Sequence, residues 1–244
     1  MNYVWPIFRR EFTTYFATPL AYVFIVIFLL AMGSFTFYIG DFYTNGVADL
    51  TVFFGYHPWL YLFLVPAISM RLWAEERSTG TMELLLTLPV PLWATVVGKF
   101  LAAWAFTGIA LALTFPIWLT VNFLGSPDNG VILASYIGSF LMAGGYLAIG
   151  SAISATTNNQ VIAFVASVVV CFLFTISGAP LVLDFFHGWA PLLIINTVAS
   201  FSFLTHFSSI TAGVIDLRDV IFFFSLIALF LAANVVIVDL KRTS

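Results

Sequence analysis

The stretch Met70-Arg71-Leu72-Trp73-Ala74-Glu75-Glu76-Arg77-Ser78-Thr79-Gly80-Thr81-Met82-Glu83-Leu84-Leu85-Leu86-Thr87-Leu88-Pro89 is the one dense polar block between two long apolar segments. Its charges belong in water. It also reads as a short helix: Gly80 is placed to serve as N-cap, Glu83 suits the positive helix start, and Pro89 stops the run. Met82, Leu84, Leu85, Leu86 and Leu88 crowd two turns with more apolar surface than one membrane-facing stripe needs, so a partner surface is expected on it.

The chain around this block is 62% hydrophobic, 18% aromatic and only 8% charged. A soluble globular domain carries about a quarter charged residues, so that class is excluded and a polytopic membrane protein is expected. A bilayer core is crossed by about 20 apolar residues. Several such runs in 244 residues leave little for a separate soluble domain. Cys171 is the single cysteine and lies in an apolar run, where it reads as packing filler rather than a reactive thiol. The net charge of -3 is too small to point to nucleic acid or another polyanion.

Upstream of the block, residues 3–18 place Trp5, Phe8, Phe12, Tyr15 and Phe16 on one helical face and Arg10, Glu11, Thr13 and Thr14 on the other. That is the pattern of an amphipathic helix in the membrane interface. Arg9-Arg10-Glu11-Phe12 brushes the twin-arginine export pattern, but the following apolar run is too long for a signal core, so an uncleaved helix is expected. Spans are expected at 19–40, 52–73, 93–124, 131–154, 161–183 and 220–239, with Pro66 kinking the second. Gly125 to Gly130 and Thr156 to Gln160 read as turns. Two small-residue ridges, Gly144/Ala148/Ala152 and Ser135/Ser139/Ala143, allow close helix approach, within the subunit or in a dimer. Residues 184–218 mix Asp184, His187, Asn196, His206, Asp216 and Arg218 with aromatics and read as short interfacial or re-entrant helices.

Six spans put both termini on one side. Arg9, Arg10, Arg71, Arg77, Lys99, Lys241 and Arg242 fall on that side, and only Arg218 falls opposite. By the positive-inside rule the termini and residues 74–92 are expected to be cytoplasmic.

No zinc-protease, hydrolase-elbow or phosphate-loop motif is present, and His57, His187 and His206 are distant from one another in sequence. The span centres lack the ionisable residue that an ion-coupled transporter needs. Energy for any transport must then reach the chain from outside it, and the 74–92 block is the surface placed to receive it.

Trp73 to Val90, with its E-E-R-x-x-G-T-x-E-x-L-L pattern, followed by Lys99, resembles the cytoplasmic loop between the second and third spans of ABC-2 type permeases, in particular the gliding-motility and nitrous-oxide-reductase-maturation types. Arg9-Arg10-Glu11-Phe12 with Thr18-Pro19-Leu20-Ala21-Tyr22 is similar too. The resemblance implies an all-α, six-span permease of the bacterial cytoplasmic membrane in the ABC-2 (type V exporter) architecture. In that architecture Arg9, Arg10, Glu11 and Phe12 belong to an elbow helix. A coupling helix docks into a separate ATPase, with Glu75, Glu76, Arg77, Thr79, Gly80, Thr81, Met82, Glu83, Leu85 and Leu86 as the docking residues.

It also implies a cytoplasmic ABC ATPase dimer that holds ATP and Mg, a second copy or a homologous permease, contact with membrane lipids, and room for an outer-side accessory protein. No cofactor is expected on this chain. The resulting expectation is an exporter permease, non-enzymatic by itself, doing either transport or mechanical work. The competing readings are an intramembrane lipid-modifying enzyme, whose polar groups would have to come from 184–218, and an ATP-independent scaffold.

Overall fold

The computed structural model describes residues 3–44, 46–82, 89–187 and 190–242, and among them every regular element is helical. The elbow helix is α1 (Val4–Ala17). Thr18 leaves it in extended backbone, as a residue before proline must, and Pro19 opens α2 (Pro19–Ser34), which ends in a π-helical turn, Phe35–Ile39. Together they make a 21-residue span.

The return crossing is broken. Instead of one span over 52–73 the chain forms α3 (Thr51–Gly55), α4 (His57–Ser69) and α5 (Arg71–Ser78). Pro58 accounts for the first break, since it removes a backbone donor and crowds the carbonyl four residues earlier, whereas Pro66 is accommodated inside α4 and the second break falls beyond it at Met70. At about 1.5 Å per residue, α4 alone reaches roughly 20 Å, short of a hydrocarbon core of about 30 Å, so its flanking helices must complete the passage.

Helices α6 (Leu92–Ala112) and α7 (Phe115–Leu124) run on as one 33-residue apolar stretch. Asp128 then caps α8 (Asn129–Ser154), its carboxylate accepting from the Gly130 and Val131 amides. Asn159 does the same for α9 (Gln160–Ile176). The helix expected to run unbroken over 161–183 ends at Ile176, because Pro180 has no N–H to continue it. The chain bends by 79° into α10 (Pro180–His187). Helices α11 (Leu192–Ser200) and α12 (Phe203–Thr211) follow, bent by 63° about Phe201 and Ser202, and α13 (Leu217–Arg242) closes the bundle.

Among the described residues four helices are long and apolar enough to cross a membrane, or six if each bent pair counts as one span. Helix α8 is the hub. Of its most apolar window 78% is buried, against 22% for the windows of α2 and α13, so α8 is wrapped by neighbours while α2 and α13 form the rim. Both small-residue ridges of α8 are spent inside the subunit: Ser135, Ser139, Ala143, Gly144, Ala148 and Ala152 are all buried. They therefore supply no free face for a second copy.

The two ends of the bundle are distinct. Arg77 donates to the Ala155 carbonyl and Lys241 to the Thr156 carbonyl, which puts α5, the α8–α9 turn and the end of α13 together with α1 at one end. The loops at 49–54, 127–132 and 211–212 gather at the other, around a cavity of about 320 Å³.

Candidate functional site

The site builds from α1 lying along α6. Gly98 permits it: a Cβ there would meet Ile7 Cγ2 at 2.8 Å, so only a hydrogen lets the two helices approach this closely. Further along, Tyr15 stacks on Phe106 with centroids 5.0 Å apart, and Phe16 meets the same ring edge-on. Trp5, Phe8, Phe12 and Phe16 form a ladder with centroids 5.3–5.5 Å apart. Trp5 remains 65% exposed, as an interfacial aromatic should.

One residue of the expected polar face turns the other way. Glu11 shares its helical stripe with Val4, Ile7 and Tyr15, and its side chain is only 16% exposed. The reason is Lys99. This lysine sits one residue past Gly98 on α6, 2% exposed, with its Nζ 2.7 Å from Glu76 Oε1 and 3.3 Å from Glu11 Oε2. The indole of Trp73 lies 5.5 Å from the same nitrogen. Arg10 reaches Glu11 Oε1 at 2.8 Å, though it stays exposed. Elbow helix, α5 and the third apolar segment are thus tied at one buried ammonium.

Helix α5 is held from a second side by Ser154, the last residue of α8. Its hydroxyl accepts from the Trp73 and Ala74 amides at 3.2 and 3.0 Å and donates to the Met70 carbonyl at 2.8 Å. A side chain from a neighbouring helix therefore does what an N-cap does, at the break the α4–α5 junction leaves. Arg77 is anchored inward on Ala155 O. Trp73 and Leu72 are buried beneath.

The other expected docking residues divide by exposure. Glu75 is half-exposed and takes two hydrogen bonds from Arg71, at 2.6 and 2.8 Å. That contact first, and the nearby Lys99 charge after it, hold the Glu75 carboxyl below the usual carboxylate range. Thr79 and Thr81 are exposed and share a 3.0 Å hydrogen bond, and Thr81 also donates to the Glu76 carbonyl. Gly80 has φ +72, the left-handed geometry of a glycine that ends a helix. It closes α5, where the sequence suggested only the start of the next helix. Met82 is buried in the core of this subunit. Glu83, Leu85 and Leu86, with the helix expected over 80–88, lie largely outside the described residues. Arg9 is exposed on α1.

Between α1 and α5 these side chains line an open cleft of about 360 Å³, with Arg10 and Glu11 on the α1 side, Arg71, Glu75 and Glu76 on the α5 side and Lys99 from α6. Burial raises the Tyr15 hydroxyl pKa above its ordinary value, so this ring at the cleft wall is a neutral hydrogen-bonding group.

At the opposite end His57 and His206 stay apart from one another, as their spacing suggests, but each is held by close neighbours. His206 faces the Asp219 carboxylate at 2.6 Å through Nδ1 and the Ser200 carbonyl at 2.9 Å through Nε2, and its ring stacks on Phe222 at 4.0 Å. His57 is fully buried among Phe53, Phe54, Phe28 and Tyr61, with Nδ1 on the Phe53 carbonyl. Neither pairing leaves a sequence trace beyond the residue types themselves.

A family model described as CcmB protein matches residues 9–157, a range that contains every member of the Lys99 cluster. The heme exporter protein B of Rhodobacter capsulatus is 36% identical over 70 residues, which are 28% of this chain and 32% of that protein. The heme exporter protein B of Paracoccus denitrificans is 34% identical over 80 residues, 32% of this chain and 37% of that protein. The matched stretch spans about a third of each curated relative's length. The ABC-2-like permease reading stands, whereas the resemblance to gliding-motility and nitrous-oxide-reductase-maturation permeases gives way to a different subtype. With more than half of its length matched by that family's model, the chain belongs to the CcmB family of ABC-2-like permeases.

Proposed function

We propose that this chain is the membrane permease subunit of an ATP-binding-cassette exporter. A separate cytoplasmic ATPase supplies the energy, holds ATP and Mg, and docks on the end of the bundle that carries α5. The observation that carries this reading is the Lys99 cluster, which fastens the elbow helix and α5 to one spanning helix. A push on α5 then moves rigidly connected elements rather than a loose loop. Thr79, Gly80 and Thr81 are exposed at this end and Glu75 is half-exposed, so a partner can reach them. Positive-inside bias supports placing that end, both termini included, in the cytoplasm.

The chain performs no chemistry itself in this reading. Export rather than mechanical work, and heme as the cargo, are favoured by the names of the relatives, both heme exporter protein B. Two ATPase subunits need two docking surfaces, so the working unit is two permeases, either copies or homologues.

The experiment is copurification of the ATPase from native membranes. Thr79→Trp, at the tip of α5, is expected to abolish recovery of the ATPase while the permease reaches the membrane at normal abundance. Ser208→Trp, exposed on α12 at the other end, should leave recovery unchanged. ATPase retained at full stoichiometry by Thr79→Trp would overturn the docking assignment.

A further inference from the structure

Two cavities adjoin at the α5 end. The charged cleft meets an apolar groove of about 230 Å³ between α2 and α4, and Tyr15, Thr18 and Arg71 line both. Helix α2 contributes Leu20 through Ile27 to the groove wall, and α4 contributes Leu64 and Ile68. At about 1.5 Å per residue that wall is roughly 10 Å long, some two-thirds of one leaflet's share of a hydrocarbon core of about 30 Å. The groove thus has the depth and chemistry for an acyl chain, and it opens at its polar end into a cleft of mixed charge.

The cleft lining balances three cations, Arg10, Arg71 and Lys99, against three carboxylates, Glu11, Glu75 and Glu76. Not all of their hydrogen-bonding capacity is used. Arg71 gives Nε and Nη2 to Glu75, and its remaining N–H groups have no partner among the described residues. Glu76 Oε2 is buried without a donor, while Oε1 holds Lys99. The cleft therefore offers unspent guanidinium donors for an anion, and its Glu76 wall holds an unspent carboxylate oxygen that a cation reaches once the side chain turns outward.

We propose that cleft and groove together bind one aminophospholipid of the phosphatidylethanolamine class. Its phosphate accepts from Arg71, its primary ammonium donates toward Glu76, and one acyl chain fills the groove between α2 and α4. A purely anionic lipid would leave Glu76 unanswered, and a trimethylated headgroup has no N–H to give it. The inference rests on the chain being membrane-embedded and not on ATPase coupling, so either can fail alone.

The test is lipid titration of the delipidated, detergent-purified chain by native mass spectrometry. Dioleoyl phosphatidylethanolamine is expected to bind roughly tenfold tighter than the phosphatidylcholine or phosphatidylglycerol of equal chains, the size of one lost charge-assisted contact. Glu76→Gln should remove that preference, whereas Arg71→Gln should weaken all three lipids together, since each carries the phosphate. Ala67→Phe, which narrows the groove from α4 without touching the cleft, should weaken phosphatidylethanolamine by a similar factor. It decides the matter alone if those two variants fail to fold. Free glycerophosphoethanolamine should compete only weakly, because the tail is part of the site. Equal retention of the three lipids would overturn the proposal. So would tail-free headgroup binding as tight as the lipid, or Ala67→Phe altering oligomeric state while lipid binding stays unchanged.

Discussion

The two ends of the bundle use charge in opposite ways. At the α5 end one buried lysine joins three segments far apart in sequence, through Glu11 on α1, Glu76 on α5 and its own place on α6, and the cluster borders an open cleft. At the other end the hydrogen-bonded pair His206 and Asp219 joins residues 13 apart, and Phe222 stacks on the imidazole. The first arrangement couples separate elements, so their positions must change together. The second fastens one corner of the chain to the start of α13 and reaches no further. The difference places coordinated movement at the α5 end and local rigidity at the far end.

The harshest way to break this comparison is Lys99→Met. Removing the ammonium leaves two carboxylates, 16% and 17% exposed, with no cation between them. Breaking a buried pair costs about 3–5 kcal/mol, and the residual exposure of the carboxylates puts this case at the lower end. Thermal unfolding of the purified chain should show the loss. Adding Glu11→Leu and Glu76→Leu to Lys99→Met should recover much of it, since burying three apolar side chains replaces three desolvated charges. A loss under about 1 kcal/mol would mean the cluster behaves as a surface ion pair, and the contrast between the ends would disappear.

A smaller effect is expected from Asp219→Ala. It leaves His206 Nδ1 buried and unanswered, at a cost of about 1–3 kcal/mol. Its location matters more than its size. Hydrogen exchange should quicken over 200–219 and stay unchanged in α1 and α5, whereas Lys99→Met should quicken exchange in α1 and α5 and spare 200–219. Matching exchange patterns for the two variants would show that the ends are not independent.

What the sequence made legible follows the range of each physical signal. Apolar runs, the aromatic stripe of the elbow and the mixed composition of 184–218 are local, and they located α1, α2, the central helices and the short helices before α13, whereas the stop that Pro180 imposes inside an apolar run went unread. Pairings across the bundle have no periodicity to reveal them. The inward turn of Glu11 was hidden because the stripe of Trp5, Phe8, Phe12 and Phe16 dominates α1, while Val4, Ile7, Glu11 and Tyr15 form the neighbouring stripe that meets α6. Ser154 gave no hint that it would cap α5, because a cap supplied by another helix obeys no spacing rule. The small residues of α8 signalled close packing without naming the partners, which are this chain's own α4, α6, α9, α12 and α13. One clue to the cluster was available: Lys99 stands between Gly98 and Phe100 inside an apolar helix, where an unpaired ammonium would not be tolerated.

The least disruptive probe separates the cluster from its surroundings by pH. Glu75 lies in the same cleft as Lys99 but is 39% exposed, and its main partner is Arg71 one turn before it. Its carboxyl is held below the usual range mainly by that partner. A carboxyl with a depressed folded-state value stabilises the fold fully above its unfolded value, near about 4.3, and stops doing so as the pH falls through the folded value. Exposure and the i, i+4 geometry limit the contribution to about 0.3–0.5 kcal/mol. Glu75→Gln should therefore lower stability slightly at neutral pH, and high salt should shrink that loss because the pair is open to screening ions. Wild type and variant should converge as the pH drops below the carboxylate range, where both carry a neutral side chain at 75. The relevant measurement is the unfolding midpoint of both proteins across an acid series at two salt concentrations. If Glu75→Gln cost as much as Lys99→Met and resisted salt, Glu75 would belong to the buried linkage, and the boundary between cluster and open cleft would have to move outward to include Arg71.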